Sequence, residues 1–320
     1  MSDPTALPAT GLPYHRVLRG GRWAWWRALL GLLSVVGFIF VLQVVVVAIV
    51  GGYLAVTGTP LDEIERQLSG EGEVMPSYLT VVNLGWATAI PAIWLVVWMV
   101  HRVRPRWLAS VAPRIRWRWF AVCLGLSMLA LIATLVVAAF LPAADSDVSG
   151  ELNDFTSRTR DFLLVVLLLT PLQAAGEEYA FRGYLTQTVG AWFPAGRVSL
   201  VAAVVVPSLL FALAHGAQDP PIFVDRLAFG LVAGTLVVLT GGLEAGIAMH
   251  VLNNFLAFGV ALAYGDMTSA LNPTGGTWWS LPVTLTQSLT YLAVVLWVAR
   301  VMGLRTTSEQ AVLEPIRPRM

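Results

Sequence analysis

The sequence is poor in charge and nearly empty of cysteine. Only 12% of its 320 residues are charged and 57% are apolar, whereas about a quarter of a soluble domain is charged. This balance excludes an ordinary soluble fold and predicts an integral membrane protein whose surroundings are the lipid bilayer. The single cysteine, Cys123, lies inside an apolar run, so a disulfide within the chain and a zinc finger are both excluded.

Long apolar runs fill most of the chain, and a run of about 20 residues is long enough to cross a bilayer as a helix. Eight runs predict an all-α fold, a polytopic transmembrane helical bundle of about eight spans. The sixth run is short and ends at Gly241 and Gly242, which fits a turn inside the bilayer. The predicted spans are 28–56, 78–100, 119–142, 162–190, 198–216, 227–241, 243–264 and 281–303.

Lysine is absent, and the arginines are unevenly distributed between the predicted loops. With both ends on the inner side, fifteen of the twenty basic residues fall on that side and four on the other, with Arg182 inside the membrane. Because loops rich in arginine stay in the cytoplasm, the pattern predicts a multi-pass protein of the cell membrane with both termini cytoplasmic. The net charge of +1 gives no indication of a nucleic-acid partner.

The spans divide the chain into five parts. Residues 1–27 and 304–320, rich in proline, arginine and small polar residues, are predicted to be disordered cytoplasmic tails. Between them lie N-terminal transmembrane helices and loops (28–160), a core with several intramembrane polar residues (161–264), and a last loop with its helix (265–303). His15 and His101 fall outside the spans or at their edge and are expected at the surface.

Six strongly polar residues interrupt the apolar runs of the core. Charge in the middle of a bilayer costs several kcal/mol, so such residues usually face an interior cavity and carry function. Taken one at a time, they also fit structural roles, as helix–helix hydrogen bonds or as a buried ion pair. They are Glu177, Glu178, Arg182, His215, His250 and Asn254.

Helix geometry predicts different surroundings for the two glutamates. At about 100° per residue, Glu178 and Arg182 lie about 40° apart on one face, where an ion pair would allow the arginine to be buried. Glu177 points about 140° away from Arg182 and is left free. A buried, unpaired carboxylate is a useful general base.

The remaining polar residues come from two other spans. His250 and Asn254 are four residues apart on one helix face, and Phe211 has the same spacing from His215, so its ring could form a wall of the site. Helical lengths of about 20 and 27 Å from the break near Pro194 place Glu177 and His215 at similar depth. An amide and an imidazole could stabilise an oxyanion, so Glu177, the two histidines and Asn254 together form an acid–base set on three separate spans.

Three motifs carry a family resemblance. EEYAFR, FALAH and HVLNN follow one another on separate predicted helices. They resemble the EExxxR, FxxxH and HxxxN motifs of the CAAX-processing and bacteriocin-immunity membrane endopeptidases, the CPBP or Abi family. The resemblance covers residues 160–265, and it implies hydrolysis of a peptide bond in a membrane-associated peptide or protein.

The family also implies roles for the matching residues. Glu177 resembles the base that activates water, and His215 helps to hold that water. His250 and Asn254 resemble the oxyanion site, and Glu178 with Arg182 resembles a supporting ion pair. A mechanism without a cofactor is favoured, although Glu177, His215 and His250 could also offer three ligands to zinc.

Two other functions are compatible with the same polar residues. Buried Glu, His and Arg side chains also build the proton relays of membrane transporters. A non-catalytic immunity or scaffolding protein would use the cluster only to hold its helices together. Intramembrane proteolysis is the favoured interpretation because all three motifs occur in the family's order.

Overall fold

The computed structural model describes residues 10–140, 151–216, 219–273 and 276–313. Within these ranges the regular structure is helical, and the only β-type pairing is two isolated bridges. The predicted all-α transmembrane bundle is therefore confirmed. The α-helices are α1 (Trp25–Val56), α2 (Leu61–Ser69), α3 (Pro76–Ala87), α4 (Ala89–Val96), α5 (Trp117–Ala138), α6 (Ser157–Glu177), α7 (Thr186–Trp192), α8 (Arg197–Leu213), α9 (Pro220–Thr240), α10 (Glu244–Tyr264), α11 (Met267–Leu271) and α12 (Ser280–Val301).

Seven helical stretches are long and apolar enough to cross a membrane, and α8, with 17 residues, is a shorter apolar helix. Counting α8 gives the eight spans that the sequence predicts. The sixth is not short, because α9 begins at Pro220 and has 21 residues. Asp225 and Arg226 end the apolar run in the sequence, but the helix continues through them.

The two ends of the described chain meet. Pro13 pairs with Thr307 in a short bridge, and the backbone N–H of Gly11 donates to the carbonyl oxygen of Ser308 over 2.6 Å. Both terminal segments therefore lie at the same end of the bundle. Only an even number of crossings returns a chain to its starting side. The pairing of the two ends therefore supports counting α8 as a crossing in addition to the seven longer stretches.

The expectation of a disordered N-terminal tail is wrong for residues 10–27. Residues Tyr14–Gly20 form a 3₁₀ helix that lies against α7, and the side chains of Tyr14 and Val17 are fully buried. His15 is buried rather than exposed, and the loss of hydration lowers its pKa to about 4, so the ring is neutral at pH 7. The composition suggested disorder because arginine and glycine are frequent in the segment. Its few apolar residues are nevertheless spaced so that they are buried together on one side.

Replacing Tyr14 should show that this segment stabilises the bundle. Its hydroxyl donates to the carbonyl oxygen of Leu108 over 2.5 Å, and its ring is fully buried. We expect Tyr14→Ala to cost about 3–5 kcal/mol through the cavity it leaves, and Tyr14→Phe only about 1 kcal/mol. Thermal unfolding in detergent would measure both. An alanine variant that melts with the wild type would show that the segment contributes no stability.

Close helix contacts fix the position of α6 just before the two glutamates. A Cβ atom at Gly176 would come within 2.0 Å of the carbonyl oxygen of Trp86, so α3 and α6 approach at backbone distance. Six residues earlier in α6, the hydroxyl of Thr170 accepts a hydrogen bond from the buried amide of Asn83 over 3.0 Å. Small residues and interhelical hydrogen bonds are the usual means of packing helices in a membrane. Glu177 therefore follows a backbone that has little freedom to move.

A second set of contacts fixes the start of α10, which carries the histidine of the third motif. The guanidinium group of Arg116 lies 2.7 Å from the fully buried carboxylate of Glu244. The same arginine donates to the carbonyl oxygens of Thr240 and Arg305. It thereby joins α5, the turn between α9 and α10, and the C-terminal segment. The predicted C-terminal tail is thus packed over its described residues, 304–313, in which Val312 is 3% exposed.

Candidate active site

The two adjacent glutamates lie where α6 changes its winding. Residues Glu178–Leu185 form a π-helical segment, called the π segment below, before the chain returns to α-helix at Thr186. Its hydrogen bonds run from residue i to i+5, so the α-helical angles used in the sequence prediction do not apply there. Arg182, five residues after Glu177, interacts electrostatically with both glutamates. Segments of this kind occur frequently at functional sites.

Glu178 is the anchor of the site. Its side chain is fully buried, and Oε1 lies 3.0 Å from Nη1 of Arg182 and 3.0 Å from Nδ1 of His250. The ion pair with Arg182 has the i, i+4 spacing on which the prediction rested. The contact with His250 was not anticipated, because the sequence grouped that histidine with Asn254.

Arg182 is held in a confined environment. It is fully buried, and its guanidinium carbon lies 4.0 Å from the centre of the Phe211 ring, a cation–π arrangement. Its three side-chain nitrogens make no hydrogen bond of good geometry within the described residues. Glu178 is therefore the main compensation for its charge.

Glu177 is buried but incompletely satisfied. Its Oε1 accepts a hydrogen bond from Nε2 of Gln173 over 2.5 Å, and the residue is 4% exposed. Its Oε2 has no hydrogen-bond partner within the described residues. Nε2 of His250 lies 3.6 Å from it, which is beyond a direct hydrogen bond. One oxygen of this carboxylate is thus available for chemistry.

His250 stands between the two glutamates. Because a carboxylate paired with arginine only accepts hydrogen bonds, Nδ1 carries the proton toward Glu178. In the neutral ring, Nε2 is then an acceptor that faces Oε2 of Glu177. Phe211 and Phe229 wall the ring, with centroid distances of 5.9 and 5.4 Å. These contacts fix both the tautomer and the direction of the imidazole.

Gly246 allows this arrangement, and its replacement should disrupt it. A Cβ atom there would lie 2.6 Å from Oε2 of Glu178. Since that carboxylate is held by Arg182 and His250, it cannot simply move away. We expect Gly246→Ala to destabilise the protein by about 1–3 kcal/mol and to lower activity at least tenfold. Gly259, with open space around it, provides the matched control. Equal activity of both variants would show that the close approach of α10 is unimportant.

His215 lies at the rim of the site, not inside it. It follows the end of α8, is exposed, and donates from Nδ1 to the carbonyl oxygen of Phe211 over 2.8 Å. Its ring packs on Phe211 at 4.7 Å, and that phenylalanine also touches His250. Phe211 therefore bridges the two histidines, as its spacing suggested. In the neutral ring, Nε2 of His215 remains an acceptor.

The hydrogen bond of Asn254 goes to Gln173, whereas the sequence grouped this residue with His250. Its amide nitrogen donates to Oε1 of Gln173 over 3.1 Å. The neighbouring Asn253 accepts from Gln287 of α12 over 3.2 Å and faces away from the site. Gln173 was missed because the sequence search singled out histidine, charged residues and one asparagine. Its position one helical turn before Glu177 was the signal available.

The candidate zinc ligands do not form a preformed metal site. Among the described residues, no group of three or more His, Cys, Asp or Glu side chains is arranged to hold a metal ion. Nδ1 of His250 faces Glu178, and Nδ1 of His215 is bonded to a backbone oxygen, so each imidazole has only Nε2 to offer a metal ion. Zinc binding by Glu177, His215 and His250 stays a prediction.

A large apolar cavity lies between the helices that carry the first and third motifs and α5. It has a volume of about 840 Å³ and lies between α5, α6 and α10. Tyr179 and Val251, which line it, directly follow Glu178 and His250 in the chain. Other lining residues include Trp117, Met128 and Phe255. None of the six candidate residues lines it, and Trp117 and Met128 are largely exposed to the surroundings of the bundle.

Comparisons with known proteins agree with the three motifs. Residues 159–256 match the family model described as type II CAAX prenyl endopeptidase Rce1-like. The chain is also 27% identical over 221 residues to the uncharacterized protein YyaK of Bacillus subtilis (strain 168), covering 65% of this chain and 71% of that protein. No solved structure matches the chain. All six candidate residues lie in the matched segment, and the resemblance to the CAAX-processing membrane endopeptidases is thereby confirmed for residues 159–256.

Proposed function

We propose that the protein is an intramembrane endopeptidase in which Glu177 activates water. The support at the level of the family is the match to CAAX prenyl endopeptidases over the segment that holds the site. The observation that carries the mechanism is the pair of adjacent glutamates with different surroundings. Glu178 is occupied by Arg182 and His250, whereas Oε2 of Glu177 is buried without a hydrogen-bond partner among the described residues.

The reaction consumes one water and one peptide bond. Atoms 3.6 Å apart, as Oε2 of Glu177 and Nε2 of His250 are, can both hydrogen-bond a single water molecule. Glu177 takes a proton from that water while the water oxygen attacks the peptide carbonyl carbon. Glu177 then gives this proton to the leaving amine. The new carboxyl group loses its proton to the new amine, so the products are a carboxylate and an ammonium group, and Glu177 is regenerated.

The other residues support this step. Glu178 keeps the proton on Nδ1 of His250, so that Nε2 faces the water. Asn254 has a second amide hydrogen, besides the one given to Gln173, that can donate to the carbonyl oxygen as negative charge develops there. His215, at the rim, offers Nε2 as an acceptor to water or to a substrate N–H group.

The surroundings of the site favour a lipid-modified or transmembrane substrate. The cavity of about 840 Å³ beside Tyr179 and Val251 is apolar and adjoins both motif helices. Because lipid tails are as apolar as this lining, an anchor that enters from the bilayer would be held by its fit to the cavity. We therefore propose that the cavity holds the apolar anchor of the substrate while the peptide bond reaches Glu177.

A quenched-fluorescent peptide reporter tests this function. The purified protein in lipid vesicles would be given a peptide ending in a farnesylated Cys-a-a-X sequence, and the same peptide without the farnesyl group as the matched control. We expect cleavage after the modified cysteine, a lower KM for the farnesylated peptide, and no effect of metal chelators. Cleavage of neither peptide, together with uptake of a solute driven by a pH gradient, would support a transporter instead.

The orientation in the membrane is also a proposal. We infer that both termini are cytoplasmic, because the paired terminal segments carry Arg16, Arg19 and Arg305 and contact the segment 102–118, which holds six arginines. A membrane-impermeant thiol reagent applied to intact cells should fail to modify a cysteine introduced at exposed Arg22. Labelling there without cell permeabilisation would reverse the orientation.

A further inference from the structure

We propose that Gln173 is a positioning residue for Glu177 and that Asn254 acts on the carboxylate through it. Three side chains form a continuous hydrogen-bonded chain, from Asn254 on α10 to Gln173 and then to Glu177 on α6. Neither the family motifs nor the comparisons assign a role to Gln173. This inference rests on the proposed role of Glu177, and it adds the device that holds that carboxylate in place.

The direction of each amide follows from chemistry. An ionised carboxylate can only accept, so Gln173 must turn its NH₂ group toward Glu177. Its carbonyl oxygen then faces α10 and can only accept, so Asn254 must present its own NH₂ group. Each link fixes the next, and a flip of either amide would place two donors or two acceptors face to face.

The chain of amides has a geometric consequence for Glu177. Gln173 is 7% exposed and precedes Glu177 by one helical turn, so the pair lies on one face of α6. The hydrogen bond from Gln173 is the only one that the Glu177 side chain makes among the described residues. This bond involves Oε1 of Glu177 and not Oε2. Holding that oxygen turns Oε2 toward His250. Asn254, on the opposing helix, restrains Gln173 in turn.

The same contact also affects the charge of the carboxylate. A donor aimed at one oxygen stabilises the ionised form, which is the form that can accept a proton from water. Losing the donor would leave a buried carboxylate without any hydrogen bond among the described residues. Gln173 is therefore expected to influence how readily Glu177 reacts, in addition to where it points.

A labelling experiment tests this independently of any substrate. Dicyclohexylcarbodiimide reacts with protonated carboxyl groups in membranes: the acid oxygen bonds to the central carbon of the reagent, and the acid proton passes to its nitrogen. Labelling of Glu177 in vesicles would be followed by mass spectrometry, at a pH where the wild-type rate still falls as pH rises. We expect Gln173→Ala to raise the rate about tenfold, as loss of one charge-assisted hydrogen bond implies.

Asn254 supplies the decisive comparison. Asn254→Ala should raise the labelling rate in the same direction but should change nothing further when Gln173 is already alanine. The pair Gln287 and Asn253 provides a matched control, because Gln287→Ala breaks a similar amide contact on α10 without touching Glu177. That variant should label at the wild-type rate. Gln173→Met, of similar volume, serves as a second variant if the alanine form does not fold.

Each outcome decides the proposal. An unchanged labelling rate in both Gln173 variants would overturn it. A raised rate for Asn254→Ala in the Gln173→Ala background would show that Asn254 acts directly, which would overturn the relay. With the peptide reporter, we expect Gln173→Ala to lower kcat about tenfold with little change in KM. Because the labelling needs no hydrolysis, a positive labelling result with an inactive wild type would reject the proposed function and leave the relay intact.

Discussion

We expect Glu177→Gln to lower kcat for peptide hydrolysis about 10³-fold or more and to leave the protein folded. The amide has nearly the same shape as the carboxylate but cannot take a proton from water. Its oxygen can still accept from Gln173, and its NH₂ group would face the acceptor Nε2 of His250, at the 3.6 Å now separating that atom from Oε2. Because 3.6 Å is beyond a direct hydrogen bond, the buried NH₂ group costs about 1–3 kcal/mol, and the melting temperature should fall by only a few degrees.

Initial rates with the farnesylated reporter would measure the loss, at protein amounts matched by in-gel quantification. Glu73→Gln is the control, because Glu73 is exposed and forms only a surface ion pair with Arg158. That variant should retain full activity. A Glu177→Gln protein that cleaves within a few-fold of the wild type would reject Glu177 as the base.

Glu178→Gln has a different and larger effect, because it removes stability as well as activity. It leaves the fully buried Arg182 without its counter-ion, and His250 then meets a neutral amide oxygen in place of the carboxylate that holds its Nδ1 proton. Breaking a buried ion pair on one side typically costs about 3–5 kcal/mol. We expect the melting temperature in detergent to fall by about 10 °C and the yield of folded protein to drop.

A double variant separates the two effects of Glu178. Replacing both charges, with Glu178→Gln and Arg182→Met, removes the uncompensated arginine and should recover most of the lost stability. It should remain far less active than the wild type, because a neutral amide holds the Nδ1 proton of His250 less strongly than the carboxylate does. If Glu178→Gln were as stable as the wild type, the anchoring role assigned to this glutamate would be wrong.

The fold and part of the site could be predicted from local patterns. Apolar runs of membrane-spanning length located the helices, since the bilayer requires backbone groups to be satisfied within each span. The i, i+4 spacing correctly paired Glu178 with Arg182, because their contact depends only on neighbouring turns of one segment. Motif order placed Glu177 and His250 at one site, and they do lie near each other.

Long-range packing accounts for what could not be predicted. The π segment depends on how α6 is held against α3 and α10, which composition does not reveal. The exposure of His215 results from the end of α8, two residues before it. His101, expected at the surface, is buried against the hydroxyl of Tyr184 at 3.0 Å, a contact across 83 residues.

The burial of the polar cluster bears on the competing functions. A transporter needs its charged groups to face alternate sides of the membrane, and it usually pairs broken helices in two matching halves. Here Glu177, Glu178 and Arg182 all lie on one continuous stretch, Ser157–Trp192, with His250 fixed against two of them. A rigid constellation of this kind favours catalysis, which depends on groups held in place before the substrate arrives.

The fate of solvent oxygen tests the central claim most directly. A single turnover of the reporter, with protein in excess, would be run in water enriched in oxygen-18, and both the product and the Glu177 peptide would be analysed by mass spectrometry. If Glu177 acts as a base, every product carboxylate gains one heavy oxygen and Glu177 gains none. An unlabelled product, with heavy oxygen in Glu177, would show that the carboxylate attacks the substrate itself and would contradict the mechanism.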